Sequence, residues 1–390
     1  MKVIIAGAGI GGLSAALALA RKGASVTICD SASVLKEAGA GLQLSANACK
    51  ALFSLGLEQQ VRAIGFYPVA AEVRRASDEA LMLYNPLGAE AEDKYGAPYL
   101  QVHRSDLQGV LLDACLSTKN ITLRLGARAV WARTEEGEAV LDLESGEVLA
   151  GDIVIGADGV RSRIREALFG PESPVFTGQV AWRGVVEASR LPKGLIPPKA
   201  MVWTGGERHF VHYYVSGGRL VNFIGVVERD WRKEGWTEPG APSELFADFE
   251  GWPEPVEALC RAVEAPFRWA LFGRPSYRRW SVGRITLLGD ACHPMLPFLA
   301  QGAAMAIEDA VVLADRLHRL VDPVLALKAY EAARITRTAK VQAWSRRNAK
   351  LFHLPSPAAG LVFGAAKLVD GLRGHEPGDR LDWLYGYEAK

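Results

Sequence analysis

The segment GDACHP places an acid, a thiol and an imidazole close together, as Asp290, Cys292 and His293. Groups of these types can hold a metal ion or activate a nucleophile. The apolar run before the aspartate is typical of a buried strand, and the run MLPFLAQGAAM after His293 carries no charge. A carboxylate that ends a buried strand needs a polar partner. The segment can therefore also be one wall of a ligand site in which Cys292 and His293 are structural.

A second group of residues that could do chemistry lies in RHFVHYYV. On a strand, His209, Val211 and Tyr213 share one face. An imidazole titrates near neutral pH and suits proton transfer, although His209 can equally be an ordinary histidine of a sheet. Arg183, in AWRGVV, is a candidate to bind a carboxylate through its forked guanidinium or to form a structural ion pair. Both segments have strand patterns, so we expect a sheet to position these side chains.

The N-terminus predicts a β-α-β unit that positions a further ligand. Two apolar, β-branched runs suited to parallel strands flank a stretch of small and apolar residues at helical spacing. Gly7, Gly9 and Gly12 occupy the G-x-G-x-x-G positions, which permit a tight turn, close approach to a pyrophosphate and close helix packing, respectively. Asp30 ends the second strand, where an acid suits ribose hydroxyls. The unit predicts binding of NAD or FAD, with a purely structural unit as the alternative.

The remaining pattern predicts two domains built from discontinuous segments, since 390 residues exceed the usual size of one hydrophobic core. The expected fold class is α/β: a Rossmann-like cofactor-binding domain, an inserted, mainly antiparallel β-sheet domain for the substrate, and C-terminal helices. The expected bounds are 1–68, 97–177 and 269–355 for the first domain, 69–96 and 178–268 for the second, and 356–390 for a C-terminal segment packed on the first.

Composition argues against several other classes. The 45 basic and 44 acidic residues give a formal charge of +1, so no strong field attracts nucleic acid or an anionic membrane. The five cysteines are far apart and lack metal-ligand spacing, which favours a reducing cytoplasm. The N-terminal run imitates a secretory signal, but glycines interrupt it. We therefore expect a cytoplasmic protein that binds no nucleic acid, membrane or metal.

Three motifs in order, GAGIGG, GADGVRSRIRE and GDACHP, resemble those of the single-component flavoprotein aromatic hydroxylases with the para-hydroxybenzoate hydroxylase fold. The resemblance covers nearly the whole chain. GAGLQLSANA and VHRSDL look like the branch that contains salicylate hydroxylase, 3-hydroxybenzoate 6-hydroxylase and 6-hydroxynicotinate 3-monooxygenase. The resemblance implies a tightly bound, non-covalent FAD. Because no second dinucleotide motif is present, NADH or NADPH would be a transient visitor.

The resemblance also implies roles for residues at the cofactor. Asp290 would hold the FAD ribitol and Arg104 the pyrophosphate, although Arg104 can also be a surface charge. Asp158 would line, beside Gly159, the groove shared with the nicotinamide nucleotide, or would be a simple turn residue. The other cofactor-binding residues that it implies are Leu13, Gln43 and, at a helix N-terminus that would face the flavin pyrimidine, Gly302 and Ala303.

The family's cycle implies that reduced flavin adds O₂ and that the resulting C4a-hydroperoxide hydroxylates a phenolic or N-heteroaromatic ring. Such a ring needs a base, and the site must exclude water. Close relatives carry active-site residues at the spacing of His209 and Tyr213. We therefore expect His209 to orient or deprotonate the substrate hydroxyl, with Tyr213 as its hydrogen-bond neighbour. Pro297 and Phe298 would give the substrate site an apolar wall where some relatives have a polar side chain, which favours a salicylate-like acid or a more apolar ring.

Other functions remain compatible with parts of the sequence. An FAD oxidase or reductase on the same fold would consume NADH without hydroxylating a substrate, whereas the tryptophan motif of the related halogenases is absent. A plain NAD dehydrogenase would be colourless. A non-catalytic escort protein of the related βαβ fold would purify without flavin. The expected partners are a small aromatic substrate and O₂, and the expected state is a monomer or a homodimer.

Overall fold

A computed structural model of the chain describes residues 1–35, 40–233, 235, 238–355, 358, 360–364 and 379–390. Its helices are α1 (Ile10–Arg21), α2 (Ala46–Ser54), α3 (Glu58–Ile64), α4 (Ala89–Tyr95), α5 (Arg104–Leu116), α6 (Arg163–Phe169), α7 (Pro242–Phe249), α8 (Glu254–Ala262), α9 (Gly302–Arg319), α10 (Pro323–Phe352) and α11 (Asp382–Tyr385). Its strands are β1 (Lys2–Ala6), β2 (Ser25–Cys29), β3 (Gly41–Leu44), β4 (Ala70–Arg75), β5 (Leu81–Pro86), β6 (Leu100–His103), β7 (Ile121–Arg124), β8 (Ala129–Glu135), β9 (Glu138–Leu143), β10 (Val148–Gly151), β11 (Ile153–Gly156), β12 (Val175–Glu187), β13 (Ala200–Gly205), β14 (Arg208–Val215), β15 (Leu220–Glu228), β16 (Glu238–Pro239), β17 (Phe267–Gly273), β18 (Ser281–Val282) and β19 (Ile285–Leu287).

The first sheet has six strands in the order β18-β19-β11-β1-β2-β7, all parallel except the β18–β19 pair. Parallel strands are buried on both faces, which explains why β1 and β11 are almost wholly apolar. Helices α1, α5 and α9 pack together on one side of this sheet, and the three-stranded sheet β10-β9-β8 contacts β1 and β11. One continuous apolar core runs through these elements.

The second sheet has eight strands in the order β16-β17-β12-β15-β14-β13-β4-β5, and its pairs are antiparallel except β13–β4. One face packs on α7 and α8 in a second core that includes Trp182, Phe210 and Phe223. The opposite face carries the side chains of Arg183 and His209 and is covered by the end of α10 and the loop before α9. The predicted fold class is confirmed.

The C-terminal segment predicted at 356–390 is described only in part, and residues 356–357, 359 and 365–378 lie outside the described residues. Tyr385, in α11, is buried and packs edge-on against Tyr95 and Tyr99, with ring centroids 5.6 and 5.9 Å away. Among the described residues, no helix is long and apolar enough to cross a lipid bilayer.

Candidate active site

The turn between β1 and α1 has the shape that its glycines predict. A Cβ on Gly7, whose φ is +109°, would lie 2.3 Å from the carbonyl oxygen of Ala157, and one on Gly12 would lie 1.9 Å from the carbonyl oxygen of Gly7. Both positions therefore require glycine for packing. A Cβ on Gly9 would meet nothing within 4 Å, so this residue faces open space. Leu13 is fully buried in the core below the turn.

A cavity of about 760 Å³ opens at the carboxyl ends of β1, β2 and β11. This is the edge of a parallel sheet at which nucleotides bind. Asp30 lines the cavity, and its carboxylate accepts hydrogen bonds from the backbone N–H groups of Ala8 (2.7 Å) and Ala32 (2.8 Å). The acid thus fixes the glycine turn as well as facing the cavity.

Asp158 lies on the opposite wall of the same cavity, beside Gly159 at φ +78°. Its carboxylate accepts a hydrogen bond from the Ser162 hydroxyl (2.5 Å) and from the backbone N–H groups of Arg163 (2.7 Å) and Ile164 (3.2 Å). Burial raises the pKa of the Asp158 carboxyl, and the bond from Ser162 opposes this rise. Asp158 therefore lines the cavity and also accepts from free N–H groups in the first turn of α6, whose N-cap is Ser162.

Asp290 belongs to a short 3₁₀ turn after β19, and its side chain faces a smaller cavity of about 140 Å³. The surrounding protein raises the pKa of its carboxyl, while His293, Arg104 and Arg274 lower it in part. Its Oδ1 is 4.0 Å from the position that a Cβ on Gly302 would take, so it lies at the start of α9. Ala303 lies in the first turn of that helix.

The neighbours of Asp290 in the motif belong to a buried polar network. His293 Nε2 contacts a carboxylate oxygen of Asp309, whose other oxygen accepts from Arg334 Nε at 2.7 Å. Arg334 also pairs with Glu308 at 2.7 Å, and all four side chains are buried. Cys292 lies close to His293 and Asp309, but burial raises the pKa of its thiol well above the usual range. A protonated thiol is a poor nucleophile, and His293 and Asp309 are held in the buried network by their contacts with each other and with Arg334.

The second sheet carries aligned side chains on one face, and of these Arg183 lines the small cavity. Val211 on β14 pairs with Ile224 on β15, which in turn pairs with Arg183 on β12. Arg183 therefore lies on the same face as His209, Val211 and Tyr213, two strand spacings or about 10 Å from Val211. The Arg183 guanidinium lies 4.4 Å from the ring centroid of Trp269. Burial lowers its pKa to about 10, which leaves the group charged at neutral pH. Its Nε is buried without a hydrogen-bond partner among the described residues.

The structure gives His209 and Tyr213 different partners. His209 is buried and its Nδ1 lies 2.7 Å from Nε2 of His353. The Tyr213 hydroxyl forms a hydrogen bond with the side chain of Gln43. The side-chain oxygen of Gln43 also accepts from the Tyr99 hydroxyl. The expectation that Tyr213 is the hydrogen-bond neighbour of His209 is therefore wrong, because each side chain reaches a different element that covers the sheet. Burial lowers the pKa of His209 well below its usual range and raises that of Tyr213.

Arg104 contributes a positive charge near the small cavity. It is the first residue of α5, and its backbone N–H donates to the carbonyl of Ala40 at 2.8 Å. Its charge acts on two groups at the small cavity, where it lowers the pKa of Asp290 and that of Arg183. The structure thus brings together an acid and two arginines that are far apart in sequence.

The apolar loop before α9 is held by α10, which sequence reasoning missed. Side chains on one face of α10 donate hydrogen bonds to backbone carbonyls of this loop: Gln342 to Pro294 (2.7 Å), Ser345 to Leu296 (2.6 Å) and Asn348 to Phe298 (2.9 Å). Pro297 lines the small cavity, and the Phe298 ring lies 5.3 Å from that of His209. Polar residues three apart on α10 were the available signal, but the same pattern is typical of a helix face that is exposed to solvent.

Comparison with known proteins identifies the family. Residues 1–345 match the family described as FAD binding domain. The chain belongs to this family. It is 38% identical to 3-amino-4-hydroxybenzoate 2-monooxygenase PtnB3 of Streptomyces platensis over 393 residues, which cover 100% of this chain and 96% of the relative. It is 36% identical to 3-hydroxybenzoate 6-hydroxylase 1 of Aquipseudomonas alcaligenes over 391 residues, which cover 99% and 98%.

A solved structure gives the same answer for the fold. Klebsiella pneumoniae HpxO complexed with FAD and uric acid matches with a TM-score of 0.83 and 27% sequence identity, covering 99% of this chain and 96% of that one. The predicted resemblance, FAD as cofactor and the enzyme class of FAD-dependent aromatic monooxygenase with NAD(P)H as electron donor are confirmed.

The residues at the large cavity fit FAD. Gly9 leaves open space at the turn, as the approach of a pyrophosphate requires, and Asp30 faces the same cavity. The α9 N-terminus starts beside Asp290, where its free N–H groups suit the partial negative charge of a flavin oxygen. We infer that Asp30 would hold the adenosine half, Arg104 the pyrophosphate and Asp290 the ribitol.

Proposed function

We propose that the protein hydroxylates a phenolic aromatic acid and binds its carboxylate through Arg183. The relatives named above act, by their names, on benzoates that bear a hydroxyl group. The small cavity beside Arg183 is lined by Trp269, Leu296 and Pro297, which suit an aromatic ring, and by Asp290 on the cofactor side. A hydroxylated benzoate matches this pairing of an apolar wall with cationic side chains, which are Arg161, Arg183 and Arg274.

The proposal rests mainly on the surroundings of the Arg183 guanidinium. A buried guanidinium is costly unless an anion pairs with it. Here the group lies on Trp269, next to a second cation, and its Nε has no hydrogen-bond partner among the described residues. A substrate carboxylate would supply two acceptors in the plane of the fork.

The remaining side chains would prepare the ring for reaction. His209 would orient the substrate hydroxyl and accept its proton, because burial keeps the imidazole neutral and thus able to act as a base. Pro297 and Phe298, held in place by α10, would exclude water from the ring. Bound FAD would supply the acceptor for hydride from NAD(P)H and the activation of O₂.

A screen of hydroxylated aromatic acids tests the proposal. We expect one or more of them to stimulate NADH or NADPH oxidation by the yellow holoenzyme and to gain one oxygen atom by mass. Arg183→Met should raise KM for that acid about 10- to 100-fold, because a hydrogen bond to a charged group contributes about 1.5–3 kcal/mol. KM for the matching phenol without a carboxylate should change little.

Arg268→Met is the matched control, since Arg268 lies 5.1 Å from the Trp182 ring on the other face of the sheet. Its KM should stay at the wild-type value. Stimulated NADH oxidation with hydrogen peroxide as the sole product for every acid would contradict the proposal and favour an oxidase. Equal effects of the two arginine variants would remove Arg183 from the substrate site.

We also propose that the protein works in the cytoplasm as a monomer or a homodimer. All five cysteines are buried free thiols, as expected for a reducing compartment. Light scattering coupled to gel filtration would measure the mass, and a tetramer or larger assembly would contradict this proposal.

A further inference from the structure

Three ionisable side chains form a continuous line from the substrate face of the second sheet to the surface. His209 Nδ1 is 2.7 Å from His353 Nε2, and His353 Nδ1 is 2.8 Å from Oε1 of Glu228. His209 is 2% exposed and His353 is 7% exposed, whereas the Glu228 side chain is 44% exposed. The line therefore joins a buried group, on the sheet face that carries Arg183, to a side chain that bulk solvent reaches.

The chemistry of the end group fixes where the protons lie. An ionised carboxylate only accepts, so His353 must carry its proton on Nδ1 and donate it to Glu228. A neutral His353 then has a lone pair on Nε2, which requires that His209 donate through Nδ1. It follows that His209 Nε2 carries a lone pair. Gln179 Nε2 lies 3.3 Å from His353 Nδ1, and the amide oxygen accepts from the same proton when the amide group is turned by about 180°.

We propose that His353 and Glu228 are the positioning residues of a proton relay that carries the substrate's phenolic proton away from His209. The phenol O–H bond breaks as its proton moves to His209 Nε2. The Nδ1 proton of His209 passes to His353 Nε2, and the Nδ1 proton of His353 passes to the Glu228 carboxylate, which releases it to water. The substrate is left as a phenolate. When a proton returns from solvent, reverse transfer along the line or rotation of the imidazole rings restores the Nδ1–H tautomers of His209 and His353.

The surroundings of His209 explain why a relay is needed. The Phe298 and Phe352 rings lie with centroids 5.3 Å from the His209 ring, and burial lowers the His209 pKa well below the usual range. Such an imidazole is a poor place for a proton to remain. Burial also lowers the pKa of His353, but Glu228 and the nearby Glu207 oppose this effect. Transfer along the line moves the proton from His209 to Glu228, which water can reach.

The proposal rests on the proposed function, and its first test does not require the substrate to be known. NMR of the holoenzyme with ¹⁵N-labelled histidine reports which nitrogen of each ring is protonated. We expect both His209 and His353 to be Nδ1–H tautomers, with resonances assigned by the loss of one signal in His209→Asn and in His353→Gln. An Nε2–H tautomer at either residue would overturn the relay.

The second test measures the proton directly on a bound phenol. The ultraviolet difference spectrum of the holoenzyme with a bound hydroxybenzoate gives the phenolate fraction at each pH. Glu228→Gln should shift this titration to higher pH by about one unit and lower the hydroxylation rate roughly tenfold. His353→Gln should have an effect at least as large, because it interrupts the line at its centre.

Glu207→Gln is the matched control. The substitution removes a negative charge near His353, as Glu228→Gln does. Glu207 is bonded to His353 only through its backbone N–H, which lies 3.3 Å from the carbonyl oxygen of His353. We expect its titration to stay within a few tenths of a unit of wild type. Equal shifts in Glu207→Gln and Glu228→Gln would reduce the effect to surface charge and overturn the relay. If the wild-type enzyme hydroxylates no aromatic acid, the proposed function is wrong. The NMR measurement of the His209 and His353 tautomers tests the relay independently of that result.

Discussion

The glycines of the β1–α1 turn have two different structural roles. The same motif contains Gly12, where a methyl group would collide with the backbone, and Gly9, where it would enter open space. Sequence alone assigns both glycines to one motif. The structure divides them into a packing position and a position that faces the cavity.

This division predicts opposite phenotypes for two small substitutions. Gly12→Ala should lower the free energy of unfolding by about 1–3 kcal/mol with or without flavin, because the 1.9 Å contact forces the turn or α1 to move. Gly9→Ala should leave the stability of the flavin-free protein unchanged and weaken FAD binding. Urea unfolding and fluorescence titration with FAD measure the two effects. Equal destabilisation by both variants would show that Gly9 also has a packing role.

Among the elements, α10 holds the loop that forms the apolar wall of the small cavity. Its polar residues Gln342, Ser345 and Asn348 fix successive carbonyls of the loop before α9, and Phe352 at its end covers His209. An apolar loop alone cannot satisfy its own carbonyls, so its conformation depends on these donors.

Loss of one donor should therefore loosen the wall rather than the fold. Asn348→Ala leaves the carbonyl of Phe298 without this partner, at a cost of about 1 kcal/mol, and should let water reach the ring. We expect more hydrogen peroxide per NADH consumed at a nearly unchanged rate of flavin reduction. Lys350→Ala, on the exposed side of the same helix, is the control and should keep the wild-type ratio. A wild-type ratio in Asn348→Ala as well would mean that the loop does not need this bond.

The elements were more predictable from sequence than the contacts between them. The β-α-β unit, the sheet positions of Arg183 and His209 and the two C-terminal helices follow from local periodicity and from glycines with a specific steric task. The partner of His209 does not, because His353 lies 144 residues away and no local pattern links the two segments. The role of α10 was likewise hidden, since the polar face that binds the loop has the same composition as a solvated one.

At the scale of the whole molecule, two aspartates of neighbouring segments act on stability with opposite signs. Asp309 pairs with Arg334 and His293, which lower its pKa against the effect of burial. Its contribution is present above the unfolded pKa near 3.8 and is lost as the pH falls through the lowered folded value. The surrounding protein raises the pKa of Asp290, so its ionisation opposes folding as the pH rises through that value. Its side chain is exposed in the cavity, and solvent there weakens this effect. The Asp309 charge stabilises the fold, whereas the Asp290 charge, at the proposed ribitol site, lowers stability.

The two Asp→Asn variants of the flavin-free protein should therefore diverge at neutral pH. Asp309→Asn should lower the free energy of unfolding by about 1–3 kcal/mol, since it removes a charged acceptor from buried Arg334. Asp290→Asn should raise the midpoint of urea unfolding while weakening FAD binding, as expected where a functional group is retained against stability. As the pH falls, the Asp290 difference should disappear between the raised folded pKa and the unfolded value near 3.8, whereas the Asp309 difference should shrink only below 3.8. Urea midpoints between pH 3 and 7 measure this convergence. A flavin-free Asp290→Asn protein that is less stable than wild type at pH 7 would mean that the Asp290 carboxylate is needed by the fold itself and not by the cofactor alone.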